Sequence, residues 1–270
     1  EIVCLLGENG AGKSTLMNLL FGMPVIRDTG GYQGEVVLEG RTVRFRSPEE
    51  AMAAGIGMVH QEFMLIPGFS VAENIKLNRE PTIPNLASRL AGRKLEVIDR
   101  KRCGADARAT LDRVGLSVDE WAPVAGLPVG HKQFIEIARE VDKQNARLLI
   151  FDEPTAVLTE GEADQLLQVM KSLAAKGLGI LFITHRLDEV LAVCDDITVL
   201  RDGEVVGRPD AKATTVIHIA ELMVGRPAAL VKKGGARAGA GDIPALEVKD
   251  LAVDMPGERV ESVSFTLVAG

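Results

Sequence analysis

Residues 7–15 read Gly7-Glu8-Asn9-Gly10-Ala11-Gly12-Lys13-Ser14-Thr15, directly after an apolar run at residues 2–6 and ahead of a helix-like run at residues 16–21. A strand, a glycine-rich turn and a helix in that order form the setting in which this spacing makes an anion site. The glycines let the backbone wrap close, so that successive N–H groups point inward at phosphate oxygens. Lys13 adds a point charge suited to β- and γ-phosphates, and Ser14 offers a hydroxyl to Mg²⁺. The helix that follows turns its positive end to the same group.

The rest of the chain supplies the sheet that such a turn needs. Residues 34–45 alternate around Glu39-Gly40 and read as a hairpin, after a glycine-rich loop at residues 23–34. Ser47, Pro48 and Glu50 mark a helix start, with Ser47 as cap and Glu50 reaching back. That helix ends near Gly55, and a buried strand at residues 56–59 delivers His60, Gln61 and Glu62 at its end. Ser70 and Glu73 repeat the capping pattern. Residues 86–115 read as helical and charged, with Arg100, Lys101 and Arg102 on a solvated face. Leu127, Pro128, Val129, Gly130, His131, Lys132 and Gln133 open a further helix with an apolar stripe. Short buried strands follow at residues 148–151, 180–183 and 197–200, with a helix at 160–175 between the first two and a last helix near 215–224. Strand–helix alternation predicts an α/β fold with a mostly parallel sheet covered on both faces. Residues 234–241 read as a flexible linker, and residues 245–253 and 260–268 as two strands joined at Pro256-Gly257.

Composition narrows the functional classes. The 270 residues are 46% hydrophobic and only 4% aromatic, so the expected core is aliphatic. A net charge of -7 argues against a nucleic-acid binder held by a basic surface. Arg41, Arg44 and Arg46 around Phe45 mimic a nucleic-acid strip, but charged residues on an edge strand explain them better. Tyr32 reads either as an adenine stacker or as a surface tyrosine. Cys4, Cys103 and Cys194 form no metal pattern and are expected as reduced thiols in a cytosol. No apolar run approaches the roughly twenty residues of a membrane span. The chain opens in mid-strand, and we read its natural beginning as lying upstream, with no signal peptide legible.

Several strand ends offer polar groups suited to phosphate chemistry. Asp152 follows four apolar residues, as a rigidly held Mg²⁺-ordering carboxylate should. Glu153 can polarise a water for attack on a γ-phosphate. His185, after the strand at 180–183, can bond a γ-phosphate oxygen, or can serve structure alone.

Together these motifs resemble the nucleotide-binding domain of an ABC transporter, over residues 1 to about 228. Residues 7–15 match Walker A, Gln61 the Q-loop glutamine, residues 148–152 Walker B with Glu153 behind it, and His185 the switch histidine. Residues 127–133 stand where the signature belongs. The wording Arg46-Ser47-Pro48 through Met58-Val59-His60-Gln61, then Glu153-Pro154-Thr155-Ala156-Val157-Leu158-Thr159, then Met223-Val224-Gly225-Arg226 resembles bacterial sugar and nucleoside importers, which are tandem proteins with two such domains.

The resemblance implies a P-loop NTPase fold, with an antiparallel β layer and a helical subdomain at about 62–143. It implies ATP and Mg as cofactors, with Ser14, Gln61 and Asp152 at the metal, Glu153 as base, and His185 and Gln61 completing the catalytic set. Gln61 also relays to the membrane subunits. The implied partners are a second ABC domain, permease membrane subunits and, indirectly, a substrate-binding protein, with no nucleic acid. The implied place is the cytoplasmic face of the membrane, peripherally held. Two departures stand out. The family's Leu-Ser-Gly-Gly-Gln is here Leu127-Pro128-Val129-Gly130-His131, so the serine that bonds the opposite domain's γ-phosphate is missing. Pro128 suits the first position of a helix. Thr159 stands where the family usually has aspartate. Two other readings are a soluble ABC-type ATPase acting on ribosomes or DNA, and a catalytically weak regulatory half. The acidic charge opposes the first, and only Pro128 favours the second.

The tail resembles the strand that leads into Gly-Glu-Ile-Val, and the chain itself begins Glu1-Ile2-Val3. The chain therefore reads as one repeat length of a tandem protein, with residues 229–244 as linker and 245–270 as the opening strands of a second ABC domain. We expect the tail to dock as a substitute first hairpin, with Gly270 close to Glu1.

Overall fold

The computed structural model describes residues 1–60, 63–85, 88–89, 95–143, 145–226, 244–255 and 258–268. Gln61, Glu62, the linker at 229–243, the turn Pro256-Gly257 and Gly270 lie outside the described residues, and so do the expectations placed on them. The chain divides into two units, Glu1–Pro227 and Ala228–Gly270.

The first unit is built on a six-stranded sheet. Strands β1 (Ile2–Leu6), β4 (Ile56–Val59), β7 (Leu148–Asp152), β8 (Gly179–Ile183), β9 (Asp196–Arg201) and β10 (Glu204–Gly207) lie in the order β10-β9-β1-β8-β7-β4. All neighbours are parallel except β10, which returns antiparallel beside β9 through Asp202 and Gly203, both at positive φ. Parallel strands covered on both faces must be apolar on both, and β1 shows it. Ile2, Cys4 and Leu6 join one core cluster with Leu149, Phe151, Ile180 and Phe182. Leu5 points the other way and joins Met17, Ala51, Ile150 and Ile183. Truncating a buried leucine such as Leu149 to alanine costs about 2–5 kcal/mol in such a core.

Helices α1 (Lys13–Leu20) and α3 (Pro48–Ala53) carry Met17 and Ala51 into the second cluster. Between them lie α2 (Pro24–Asp28) and the hairpin of β2 (Val36–Leu38) and β3 (Arg41–Val43). The hairpin turns at Glu39 and Gly40, both at positive φ as a two-residue turn demands. Residues 24–28 are a short helix rather than loop, because Pro24 takes its first position and presets φ. Arg44 lies over the Tyr32 ring at 4.9 Å, so one ring face is taken.

The helical part is α4 (Val71–Lys76), α5 (Arg100–Arg113) and α6 (Val129–Val141), with two short strands, β5 (Thr82–Ile83) and β6 (Val97–Ile98), paired between α4 and α5. Of the charged stretch expected to be helical, the described helix of that length is α5, whose Arg100, Lys101 and Arg102 are exposed. Val71, Ala72, Ile75, Cys103, Ala107, Leu111, Phe134 and Ile135 pack these helices onto the first cluster. Asp142, at the end of α6, binds Lys76 at 3.0 Å and Arg79 at 2.7 Å. Helices α7 (Glu160–Ala175), α8 (Leu187–Val193) and α9 (Val216–Val224) complete the unit. Among the described residues no helix is long and apolar enough to cross a membrane.

The second unit is described as one antiparallel pair, β11 (Pro244–Met255) with β12 (Glu258–Val268). Register irregularities interrupt the pairing at three places.

Candidate functional site

The C-terminal end of β1 opens into the glycine loop, and each glycine there has a steric reason. A Cβ on Gly7 would meet the Leu200 carbonyl oxygen at 2.5 Å and Ala11 at 2.8 Å. Gly10 and Gly12 sit at φ 86° and 102°, and Gly12 is the left-handed N-cap of α1. Helix α1 therefore starts at Lys13, three residues earlier than the apolar pattern of Leu16 onward predicts, and its first amides lie within the loop. The ammonium of Lys13 donates to the Gly7 carbonyl at 2.6 Å and to the Glu8 carbonyl at 3.1 Å. An ammonium has three N–H bonds, so one remains for an incoming anion. Ser14 and Thr15 are exposed at the head of the helix.

Strand β7 brings Asp152 and Glu153 to the same place. Asn9, Gly10, Gly12, Lys13, Ser14, Thr15, Asp152 and Glu153 together line a cleft of about 320 Å³. Burial pushes the Asp152 carboxyl above its ordinary range, Glu153 adds to this, and His60 and Lys13 oppose it. Glu153 sits at φ 48°, an uncommon conformation for a residue with a Cβ. Its N–H donates to the Ile183 carbonyl of β8 at 2.8 Å. That bond aims the side chain along β8 towards His185, whose Nδ1 lies 3.1 Å from Glu153 Oε1. His60, at the end of β4, packs edge-on to Phe21 at 6.5 Å, and burial lowers its proton affinity.

Not every expected residue joins the cleft. Leu127, Pro128, Val129, Gly130 and His131 form the entry to α6 and are not among its lining residues. Pro128 is the N-cap rather than the first helical residue, in extended backbone, with no side-chain cap. A Cβ on Gly130 would collide with the Glu162 carboxylate. That carboxylate closes a capping box with Thr159 at the start of α7. Tyr32 also lies outside the cleft lining. A larger cavity of about 690 Å³ lies beside α4 and the end of α6. Its cations are already paired, Lys76 and Arg79 with Asp142, Arg139 with Glu136 and Lys143 with Glu140.

Behind the cleft runs a buried network that sequence reading missed. The Glu189 carboxylate, 3% exposed, accepts from Thr155 Oγ1 at 2.9 Å and from Thr184 Oγ1 at 3.3 Å. The Arg186 N–H donates to Thr184 Oγ1 at 3.0 Å. Glu189 Oε1 accepts no hydrogen bond and faces Arg186 Nη1 as an ion pair at 2.9 Å. Burial pushes this carboxyl up, and Thr155, Arg186 and Thr184 oppose the shift.

The family described as ABC transporter matches residues 1–156. The ribose import ATP-binding protein RbsA of Chelativorans sp. (strain BNC1) is 43% identical over 227 residues, covering 84% of this chain and 41% of that protein. Ribose import ATP-binding protein RbsA 3 of Rhizobium meliloti (strain 1021) is 40% identical over 271 residues, covering 100% of this chain and 49% of its own. The glucose import ATP-binding protein TsgD13 of Haloferax volcanii is 45% identical, with 84% and 43% covered. The chain thus spans 41% to 49% of these curated relatives. A crystal structure of an ATP-binding cassette of an ABC transporter, in its ADP conformation, matches with a TM-score of 0.66 at 26% identity, covering 84% of this chain and 88% of that one.

Proposed function

The chain belongs to the ABC transporter family, and on that premise we propose that it is the ATP-binding and ATP-hydrolysing part of an importer for sugars or nucleosides. It would work at the cytoplasmic face of the membrane, driving uptake through permease subunits. The observation that carries this reading is one cleft in which the Lys13–Ser14 loop meets Asp152 and Glu153, with His185 on Glu153. The import proteins named above support the substrate class.

Within that reading the loop amides and the free N–H of Lys13 bind the phosphates. Among the described residues no cluster of three or more His, Cys, Asp or Glu could hold a metal alone. The Ser14 hydroxyl and the Asp152 carboxylate suit Mg²⁺, an ion that takes its remaining ligands from phosphate and water. Held by these two groups, the ion would supply positive charge to the transferred phosphoryl group. Glu153 accepts the proton of the attacking water, and His185 holds the Glu153 carboxylate in place. Gln61 is assigned by position to the metal and to the permease relay. Residues 1–228 form the ATP-binding domain, with a helical subdomain at about 62–143, and 245–270 open a second ABC domain that completes the engine. The lack of a side-chain cap at Pro128 favours a variant in which the site that this signature completes is the weaker one.

The test is nucleotide turnover by the complete protein reconstituted with its permease. Turnover should require Mg²⁺ and rise with substrate-loaded binding protein. Absence of Mg²⁺-dependent turnover in an assembly that transports would overturn the reading.

A further inference from the structure

Glu189 lies outside the cleft lining, yet both chain neighbours of His185 are tied to it. We propose that Glu189 is the positioning residue that sets the contact between His185 and Glu153. The inference rests on the reading of the cleft as an ATPase site.

Thr155 follows Glu153 by two residues, and Thr184 and Arg186 bracket His185. One oxygen of Glu189 accepts both threonine hydroxyls, at 2.9 Å and 3.3 Å. Its other oxygen faces the Arg186 guanidinium at 2.9 Å. The Thr184 hydroxyl gives its proton to Glu189, which leaves its lone pairs for the Arg186 N–H at 3.0 Å. Thr155 is 2% exposed and Thr184 3%, so water does not compete for these bonds. A single carboxylate thus joins the loop after β7 to the loop after β8. His185 itself is exposed, with a side chain 59% accessible. Its place relative to Glu153 is inherited from residues 184 and 186.

A purely structural role is the competing account, because Glu189 also lies in the first turn of α8. The two differ in what they couple. A positioning residue acts through the His185–Glu153 contact, so its loss costs less once the imidazole is gone.

The experiment is a double-mutant cycle in the complete assembled protein. Glu189→Gln and Thr155→Val are each made alone and in a His185→Ala background. Turnover, affinity for a fluorescent ATP analogue, and melting temperature are measured. Misplacing a reacting group by a fraction of an ångström to 1 Å costs on the order of tenfold to a hundredfold, and that is the loss in kcat expected for Glu189→Gln. Affinity for the analogue should stay within about twofold, because ground-state binding is untouched. In the His185→Ala background each substitution should lower kcat by a smaller factor than in the parent. Equal losses in both backgrounds would overturn the proposal, as would full activity of Glu189→Gln in an active parent. Should Glu189→Gln fail to fold, Thr155→Val carries the same cycle, since it leaves the Arg186 pair intact. A parent that does not hydrolyse ATP would instead overturn the ATPase reading itself.

Discussion

The imidazole Nδ1 of His185 lies 3.1 Å from Glu153 Oε1, across the ends of the neighbouring parallel strands β8 and β7. An exposed ring here meets a largely buried carboxylate. Replacing Glu153 by Gln keeps the shape and removes the proposed base. Nucleotide affinity should be retained while turnover falls on the order of 10²–10⁴-fold. Hydrolysis by Glu153→Gln at the parent rate would show that another group takes the proton.

Lys13 has the opposite signature. Its ammonium is anchored on the Gly7 and Glu8 carbonyls, and in the proposed role it meets phosphate in the ground state. Lys13→Ala should therefore abolish nucleotide binding in a direct fluorescence titration, before any turnover is considered. Undiminished binding would move the phosphates elsewhere.

Pro128 caps α6 without a side-chain acceptor. Pro128→Ser should stabilise the helix by about 1 kcal/mol. In a domain of this size that raises the melting temperature by about 2–4 °C. Turnover of the assembled protein should rise as well. No change or a loss of turnover would mean that the helix amides and dipole serve the opposite site unaided.

Gly130→Ala tests the packing of α6 on α7. The added methyl must displace Glu162, which closes the capping box with Thr159. Losing that box costs about 1 kcal/mol, read as a fall in melting temperature. An unchanged melt would show that Glu162 leaves at no cost.

Acid should weaken two helix starts. Bonds from the Ser70 backbone and hydroxyl hold the Glu73 carboxyl below its usual range, and Thr159 does the same for Glu162. A lowered folded-state value gives stability that is present above the unfolded carboxylate range and is lost as pH falls through the folded value. Glu73→Gln and Glu162→Gln should therefore melt below the parent at neutral pH. The difference should shrink as pH is lowered through about 4. A gap that does not change with pH would assign the effect to shape rather than charge.

Much of this was legible because parallel strands advertise themselves. The runs before Gly7, His60 and Asp152 are short, apolar on both faces and end in polar groups, so strand and site were read together. Strand β10 was not, because it is four residues long and leaves Val205 half exposed at the sheet edge. Helix α8, with seven residues, is too short for its period to show. Glu189 could not be found from pattern: beside Asp188 it looks like a solvated acid at a helix start, and only the fold turns it inward. Gly12 hid the true start of α1, since a capping glycine and a turn glycine read alike.

Asp152 stands opposite Ile183 in the β7–β8 register, and the next residue's N–H locks onto that same Ile183 carbonyl. Side chains alternate between faces along a strand, so a slip of one residue would carry Thr184 and His185 to each other's directions and shift them by about 3.3 Å. The spacing between base and histidine is thus a property of backbone counting. A single residue gained or lost inside β7 or β8 would be a chemical mutation with every named side chain still present.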